Sequence, residues 1–250
     1  MAESPSVFTT QRLEMIQSIE KDHFWFQGRL AHIRYVLDRF LHSKENTIYD
    51  LGCGTGYNLR EWTDYAENVI GVDQHAQKNS ATFSSEPNIE FLDGDVTDLQ
   101  FDNESSDVVI ALDVLEHVND HAMLKEVYRV LKSDGIFVAS VPAYKFLWSD
   151  RDVQAGHMRR YTPKLLTRTV EQHGFKIDYT NHFLFTLFPL ILISRIVSRL
   201  LRISTKGEEQ VSSVMNSIFT VILRFENTLV KWGWKLPIGS TIIICARKTP

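Results

Sequence analysis

A glycine-rich run that follows a predicted strand constrains this chain more than any other feature. The strand is expected at residues 47–51, and three glycines occupy alternate positions directly after it: Gly52, Gly54 and Gly56. Glycine is needed where the backbone adopts a positive φ or approaches a ligand closely. A helical pattern begins near Tyr57, and a second predicted strand at residues 68–72 ends on Asp73. An acidic side chain about twenty residues beyond the first glycine can accept both hydroxyls of a ribose. The arrangement predicts a nucleoside-binding α/β unit.

The spacing of the glycines separates two classes of nucleotide ligand. Folds that bind a dinucleotide use G-x-G-x-x-G, and its third glycine would fall at position 57, which is Tyr57. The pattern that begins at Asp50 is instead D-x-G-x-G-x-G, which resembles motif I of the class I S-adenosylmethionine (SAM)-dependent methyltransferases. Their ligand carries a nucleoside, an amino acid and a sulfonium, and no phosphate. A nicotinamide-dependent enzyme is the rival from the same fold class, and Tyr57 counts against it.

Further segments resemble the same family in the same order. Residues 89–96 are predicted to form a third strand, residues 106–118 a fourth strand with the loop after it, and residues 131–138 a glycine turn and a fifth strand. With a last strand at residues 241–247, the resemblance covers residues 45–180 and this strand. It implies a Rossmann-like α/β fold, in which a seven-stranded methyltransferase sheet is mostly parallel, has an antiparallel last strand and carries helices on both faces.

The resemblance also implies SAM as the cofactor and a set of residues that bind it. Asp73 with Gln74 is expected at the ribose. Asp95, at the end of the third strand, is expected to accept a hydrogen bond from the adenine amino group, while the backbone N–H of Val96 faces the ring. The whole predicted binding set is as follows: Asp50, Gly52, Cys53, Gly54, Tyr57, Asp73, Gln74, Asp95, Val96, Leu112 and Asp113.

The chain is predicted to contain four parts: an N-terminal helical lid (1–45), a SAM-binding α/β core (46–182), a helical insertion (183–236) and the final strand of the core (237–250). Three adjacent aromatic residues in the lid, at positions 24–26, cannot all face one core. Either at least one of them contacts a ligand, the lid or a partner, or Phe24 and Phe26 are buried against an edge helix while Trp25 shields them.

The composition indicates the cellular compartment and excludes one class of binding partner. A net charge of −4 and a pI near 6.1 argue against a nucleic-acid-binding surface. The two cysteines, Cys53 and Cys245, do not suggest a disulfide framework, which favours a reducing cytosol. The N-terminus lacks the basic and then apolar pattern of a signal peptide. We therefore expect a cytoplasmic protein with no nucleic-acid partner.

The loop predicted at residues 142–162 leaves the carboxyl edge of the sheet, where ligands of such folds bind. It ends in Gly-His-Met-Arg-Arg-Tyr-Thr at residues 156–162. The motif H-x-R-R-Y-T resembles a segment of a subgroup of bacterial methyltransferases, and the alternative is that its two arginines form a solvated face. A helix at residues 163–173 follows, with Pro163 in its first turn and Gly174 as its C-cap.

The insertion contains two predicted amphipathic helices. Its apolar start, residues 183–193, is too short to span a membrane and contains Pro189. The helix predicted at residues 191–203 has aliphatic residues on one side and three arginines on the other: Arg195, Arg199 and Arg202. A polar turn at residues 204–210 precedes the second helix, whose apolar positions over residues 211–225 keep helical spacing.

Three arrangements of these helices remain open. They pack on each other and cap the substrate pocket, they form an interfacial contact with a membrane, or they form a homodimer interface. A lipid-linked or otherwise apolar acceptor fits the first two arrangements equally well.

The chemistry of methyl transfer decides which side chains matter beyond the cofactor. Displacement at a sulfonium needs alignment of donor and acceptor, and it needs a base only if the acceptor is a hydroxyl or an acidic carbon. His117 and His157 are the candidate catalytic residues, because both are expected at the carboxyl edge and imidazole titrates near neutral pH. A purely structural role for His117 in the cofactor loop is the alternative.

A metal site is a further alternative for this region. Asp113, Glu116 and His117 are spaced i, i+3, i+4, and His157 follows in the next loop. The segment is similar to the E-x-x-E-H segment of certain ubiquinone-pathway and small-RNA methyltransferases, in which a later histidine completes a divalent-ion site. The shorter side chain of Asp113 replaces their first glutamate and reaches less far, so no metal ligand is assigned.

These features together predict an enzyme that moves a methyl group from SAM to an oxygen or carbon atom of a small-molecule or lipid-like acceptor. The rival from another class is a non-catalytic SAM-binding module that acts through the helical insertion.

Overall fold

The computed structural model describes residues 10–74, 86–202 and 211–249. Its central sheet has seven strands: β1 Glu45–Leu51, β2 Ala66–Asp73, β3 Ile89–Asp93, β4 Ser106–Leu112, β5 Leu131–Pro142, β6 Phe175–Phe183 and β7 Thr241–Lys248. Their order across the sheet is β3-β2-β1-β4-β5-β7-β6. Paired strands are parallel, except that β7 runs antiparallel to both β5 and β6. The predicted sheet, mostly parallel with an antiparallel last strand, is confirmed.

Helices cover both faces of the sheet. The described ranges contain these α-helices: α1 Thr10–Ile19, α2 Phe24–Phe40, α3 Leu59–Trp62, α4 Asp120–Val130, α5 Asp150–Ala155, α6 Pro163–Glu171, α7 Phe188–Leu201 and α8 Ser213–Lys231. None of these helices is long and apolar enough to cross a membrane.

The central strands are buried on both faces, as expected for a parallel sheet with a helical layer on each side. Residues 108–111 of β4 have no exposed surface. One face of the sheet packs against α4 and α6 through Met123 and Leu166. The other face packs against α2 through Ile33 and Leu37. Ligands of such sheets bind outside the carboxyl ends of the strands, because helices occupy both faces.

Helix α6, which follows the loop of residues 142–162, ends earlier than the sequence pattern predicts. Thr162 is the N-cap of α6 and accepts a hydrogen bond from the N–H of Leu165 (3.2 Å). The C-cap is Gln172 instead of Gly174. Gly174 lies two residues further on, with a φ of +87°, and a Cβ there would lie 2.7 Å from the ring of Tyr128. Glycine is therefore needed for the turn that follows the helix and for its packing.

The second insertion helix packs along the N-terminal segment, whereas mutual packing of the two insertion helices was one of the three arrangements left open. Helix α8 lies against α2, and a Cβ on Gly28 would lie only 2.7 Å from Leu223 Cδ1. Asn227 Nδ2 donates to the carbonyl of Gly28 (3.0 Å). Asn216 Oδ1 accepts from the N–H of Phe24 (2.8 Å). The polar turn predicted at residues 204–210 lies outside the described residues.

Candidate cofactor and acceptor site

A cavity of about 880 Å³ opens at the carboxyl ends of the first four strands. We call it the central cavity. Its wall contains part of residues 52–56, which we call the glycine loop, and the side chains of Asp73, Asp113, His117 and His157. Every residue of the predicted SAM-binding set lines it except Asp95. Side chains of α1, α2, α7 and α8 complete the wall. The fold thus brings together residues that the sequence distributes over five loops and two helical segments.

The glycine loop adopts a backbone that other residues would strain. All three of its glycines have a positive φ: Gly52 (+69°), Gly54 (+61°) and Gly56 (+79°). A Cβ on Gly52 would lie 2.6 Å from Val114 Cγ2, whereas one on Gly54 would meet nothing within 4 Å. The N–H of Gly54 donates to Asp73 Oδ2 (2.9 Å). The loop therefore leaves space beside Gly54 and holds the Asp73 carboxylate at the edge of that space.

Asp50, the first residue of the motif, is a buried structural acid. Its Oδ2 accepts a hydrogen bond from Trp62 Nε1 (2.7 Å), and only 3% of the residue is exposed. Burial raises the pKa of Asp50 to about 7, although the Trp62 hydrogen bond opposes the shift. The indole of Trp62 ties α3 to the end of β1, which is a contact that the sequence pattern did not indicate.

Among the ionisable residues of the N-terminal segment that line the cavity, Glu20 and Arg29 bond to distant elements, and sequence reasoning missed both. Thr55 Oγ1 donates to the Glu20 carboxylate (2.7 Å to Oε1), and burial raises the pKa of Glu20 to about 7. Arg29 forms an ion pair with Asp113 and lies over the Trp25 ring, 4.4 Å from its centroid. No local pattern marks Glu20 or Arg29, because their partners lie far along the chain.

The three aromatic residues of the lid all contribute to the cavity wall. Phe24 also makes an edge-to-face contact with Phe219 of α8, with 5.0 Å between ring centroids. Trp25 and Phe26 form a second edge-to-face pair at 4.8 Å. The structure therefore places all three rings where a bound ligand can contact them.

Asp95 occupies a different place from the one we expected. Strand β3 ends at Asp93, so Asp95 lies in the following turn. Its Oδ1 accepts from the N–H (2.8 Å) and hydroxyl (2.7 Å) of Thr97. Because the carboxylate stabilises this turn, the cavity wall is formed here by Gly94 and Val96.

Glu116, His117 and His157 form a compact group at the cavity wall, with one potential ligand atom from each within 4.8 Å of the others. His157 Nε2 lies 3.8 Å from Glu116 Oε1, and the two imidazole rings are 4.8 Å apart. Glu116 is fully buried, and among the described residues neither of its carboxylate oxygens has a hydrogen-bond partner. Burial, with a smaller effect of Asp113, raises the pKa of Glu116 well above its usual range. Burial and the neighbouring His157 lower the pKa of His117 to about 4.

A buried ion pair holds His157 in place. Asp152 Oδ1 contacts His157 Nδ1 (2.8 Å), and both Asp152 oxygens bind the Arg160 guanidinium at 2.7 and 3.0 Å. Asp152 also accepts from the backbone N–H of Ser149 (2.8 Å), which forms a capping box at the start of α5. The Ser149-x-x-Asp152 spacing is a recognised capping signal, so this support could have been found in the sequence.

The arginines of the H-x-R-R-Y-T motif make specific contacts, which excludes the alternative of a solvated face. Arg159 Nη1 binds Asp120 Oδ1 (2.9 Å), and the Tyr161 hydroxyl donates to Asp120 Oδ2 (2.8 Å). The Arg160 side chain is only 10% exposed. The motif therefore fastens the loop that carries His157 to the start of α4.

Comparison with known proteins gives the family. The sequence profile of the methyltransferase domain family, described as "Methyltransferase domain", matches residues 49–139. A probable SAM-dependent methyltransferase of Mycolicibacterium smegmatis is 27% identical over 180 residues, covering 70% of this chain and 68% of the relative. The chain is a class I SAM-dependent methyltransferase. It is therefore an enzyme that uses SAM as its methyl donor.

The methyltransferase also has more distant relatives with named acceptors. Sterol 24-C-methyltransferase of Candida albicans is 22% identical over 176 residues, covering 61% of this chain and 46% of the relative. The solved structure of Haemonchus contortus phosphoethanolamine N-methyltransferase 2 in complex with SAM superposes with a TM-score of 0.64 at 16% identity. The alignment covers 98% of this chain and 59% of that chain. The structural likeness supports the fold alone.

Replacing Asp73 with alanine should weaken SAM binding to the methyltransferase by about 1.5 to 3 kcal/mol, because a charged acceptor would lose its hydrogen bonds to the ribose. Asp95→Ala is the matched comparison, since its carboxylate bonds to Thr97, and it should change the affinity much less. Isothermal titration calorimetry with SAM measures both. Equal affinities for wild type and Asp73→Ala would mean that the ribose is held elsewhere.

Proposed function

We propose that this methyltransferase methylates a hydroxyl group of an amphiphilic, lipid-like acceptor. The observation that supports this proposal is that one part of the cavity wall is polar and another part is apolar. Polar groups converge at Glu116, His117 and His157, while the segment from the end of β6 through α7, together with α8, supplies apolar side chains: Leu184, Leu187, Leu190, Ile191 and Phe219. An acceptor with one polar group and an apolar body complements both parts of this wall.

The size of the cavity is that of a site for small molecules. Pockets for one drug-sized molecule range from about 300 to 1,000 Å³, and the central cavity of about 880 Å³ lies near the upper end. SAM supplies the methyl group on a sulfonium, which makes the thioether sulfur a good leaving group. The glycine loop, Asp73 and the backbone at Val96 and Leu112 are the groups that we propose hold it.

His157 is the proposed general base. The Asp152 carboxylate accepts the Nδ1–H of His157, which leaves Nε2 to face Glu116 and the cavity. Nε2 takes the hydroxyl proton as the new carbon–oxygen bond forms and the carbon–sulfur bond breaks. The Asp152 carboxylate then stabilises the imidazolium, as in other Asp–His pairs. His117, which is neutral at pH 7 because of its low pKa, adds no charge that would repel the imidazolium.

Glu116 is proposed to position the acceptor. Burial raises its pKa well above the usual range, which favours the neutral carboxyl group, and a neutral carboxyl group can donate a hydrogen bond. A buried polar group without a partner destabilises the protein by about 1 to 3 kcal/mol. A polar acceptor group that bonds to Glu116 would remove this penalty, which favours a hydroxyl at that point of the cavity.

The names of two relatives agree with an acceptor of this class. One is a sterol methyltransferase and the other a phosphoethanolamine methyltransferase. Both acceptors are small molecules or lipid-like, and the two enzymes methylate different atoms. The sterol name supports a lipid-like acceptor, and the phosphoethanolamine name supports only a small molecule, because phosphoethanolamine is polar. The proposed oxygen atom depends on the histidine and glutamate geometry.

A divalent metal ion is the second candidate for the same three side chains. Two observations favour it: both oxygens of Glu116 lack partners in the described part of the chain, and Asp152 binds Nδ1 of His157. Carboxylates orient metal-bound histidines in this way in many proteins. In that case Nε2 of His157 would be a ligand and not a base.

Transfer of a labelled methyl group tests the proposed acceptor class. The purified enzyme is incubated with methyl-tritiated SAM and with one of two extracts prepared from a single batch of cells. One is a total lipid extract and the other is a polar-metabolite extract. We expect label in the organic phase of the lipid reaction, in a product stable to alkali as an ether is. Label confined to water-soluble products would contradict the proposal.

A further inference from the structure

The insertion presents an apolar outer surface that the fold does not cover. We call this surface the insertion face; its members are all exposed: Ile193, Ile196, Val197, Leu200 and Leu201 on α7, Val214, Ile218, Val221 and Phe225 on α8, and Trp232 and Trp234 after α8. Leu200 is 76% exposed and Trp232 is 71% exposed. On each helix these positions recur every three or four residues, so each helix carries its own exposed apolar stripe. Large exposed apolar stripes of this kind mark contact sites for a partner or a membrane.

The charge of the insertion differs from that of the rest of the chain. Residues 188–236 contain seven basic and three acidic residues, a net charge of +4. Since the whole chain carries −4, the other 201 residues carry −8. The one acidic residue in the described part of the insertion, Glu226, is buried and accepts from the backbone N–H groups of Leu184 and Thr186. The insertion therefore attracts an anionic surface, and the rest of the protein does not.

The exposed basic side chains of the insertion lie only partly at the positions that the sequence pattern predicted. Arg195 is buried in the cavity wall, and Arg199 donates to the carbonyls of Phe146 (2.6 Å) and Trp148 (2.9 Å). The expectation that these two arginines and Arg202 share a free charged face is therefore wrong. The exposed basic side chains of this segment are Arg199, whose guanidinium is held by these two carbonyls, and Arg202, Arg224, Lys231 and Lys235.

The helices of the insertion face also form part of the cavity wall. Ile191 and Arg195 of α7 and Phe219 of α8 face the cavity, opposite to the exposed stripes. Leu190 both lines the cavity and is half exposed, so the rim of the cavity borders the insertion face. A surface bound to this face would lie beside the cavity opening.

We propose that the insertion face docks on an anionic membrane surface. Exposed aliphatic and aromatic side chains enter the boundary between head groups and acyl chains, and the basic side chains bind anionic head groups. Tryptophan at the end of an amphipathic helix suits this interface, because the indole has an apolar body and a polar N–H. The contact is peripheral, since no helix of the described ranges is long and apolar enough to cross the bilayer. This inference goes beyond the proposed reaction and does not depend on it.

Vesicle co-sedimentation tests the proposal with the full chain. The protein is mixed with vesicles of phosphatidylcholine and phosphatidylglycerol, or of phosphatidylcholine alone, at low and high salt. We expect it to pellet with the anionic vesicles at low salt, to release as salt is raised, and to bind the neutral vesicles weakly. Tryptophan emission should shift to shorter wavelength on binding as Trp232 and Trp234 enter the interface.

Two pairs of variants make the test specific. The triple variant Arg202→Gln, Arg224→Gln and Lys231→Gln should lower the partition coefficient about a hundredfold. Its control, with the same change in net charge on α4 and α6, is Lys125→Gln, Lys164→Gln and Arg168→Gln, and it should lower the coefficient less than about threefold because distant charges are screened. Leu200→Asp should also abolish binding. Leu165→Asp is the control, because Leu165 is an exposed leucine on α6 outside the insertion face, and it should not.

Several outcomes would overturn the membrane contact. Wild-type protein that stays in the supernatant with anionic vesicles at low salt would do so, as would equal losses in the two triple variants. A dimer in sedimentation equilibrium that Leu200→Asp dissociates would assign the face to a second copy of the chain. SAM affinity measured in every variant separates these results from failure of the proposed reaction, because vesicle binding needs neither acceptor nor turnover.

Discussion

His157→Gln should lower kcat about a hundredfold to ten-thousandfold, the usual contribution of a positioned general base, while the Kd for SAM stays nearly constant. Nε2 of His157 faces Glu116 in the cavity, and its Nδ1 is held by Asp152. Glutamine retains a donor toward Asp152 but cannot take the hydroxyl proton. The acidic limb of the kcat profile, where a protonated base no longer functions, should disappear in the variant.

The matched control for this experiment is His42→Gln, because His42 is exposed and lies outside the cavity wall. It should leave kcat unchanged. Dialysis against EDTA distinguishes the base from a metal ligand: activity should survive chelation if His157 is the base. Activity that is lost with EDTA and restored by a divalent ion would assign Glu116, His117 and His157 to a metal site instead. Unaltered kcat in His157→Gln would contradict both roles.

Asp152→Ala should lower the free energy of unfolding by about 3 to 5 kcal/mol, the usual effect of breaking a buried ion pair from one side. Asp152 has no exposed surface. The substitution removes the acceptor of Arg160, His157 and the Ser149 N–H at once. The Arg160 guanidinium, whose side chain is 10% exposed, would keep its charge without a carboxylate. Denaturant unfolding followed by circular dichroism measures the loss.

The control substitution is Asp150→Ala in the first turn of the same helix, where an exposed acid contributes less than about 1 kcal/mol through the helix dipole. A loss for Asp152→Ala no larger than this would mean that the buried ion pair does not support the fold. Activity should fall in Asp152→Ala as well, because His157 loses the group that orients it.

The same carboxylate predicts how stability depends on pH. Burial by itself would raise the pKa of Asp152, but the hydrogen bonds from His157 and Arg160 outweigh it and hold the pKa well below the usual range of an aspartate. An acid with a depressed folded-state pKa stabilises the protein above its unfolded-state pKa and loses this contribution as the pH falls. Wild-type stability should therefore decrease below about pH 4, and this part of the decrease should be absent in Asp152→Ala.

The sequence by itself determined the sheet and the part of the cavity wall that follows the ends of its strands. A buried strand that enters a glycine turn, followed by a second strand that ends on Asp73, is encoded by residues close together in the chain. Positive φ values at Gly52, Gly54 and Gly56 follow from the absence of a Cβ. Parallel strands place their carboxyl ends at one edge, so the positions of Asp73, Asp113 and His117 followed once the strands were assigned. The misplacement of Asp95 arose because strand ends are the least certain part of such a pattern.

Only the tertiary structure decided what surrounds these groups. Glu20 with Thr55 and Arg29 with Asp113 are pairs from distant segments, and no local spacing encodes them. The tertiary structure also decided which side of each insertion helix faces the rest of the protein. An amphipathic pattern shows that a helix has an apolar side, but not which neighbour covers it. Helix α8 packs one side against α2, and Arg195 of α7 is buried. The apolar residues on the other sides of these helices stay exposed and form the insertion face.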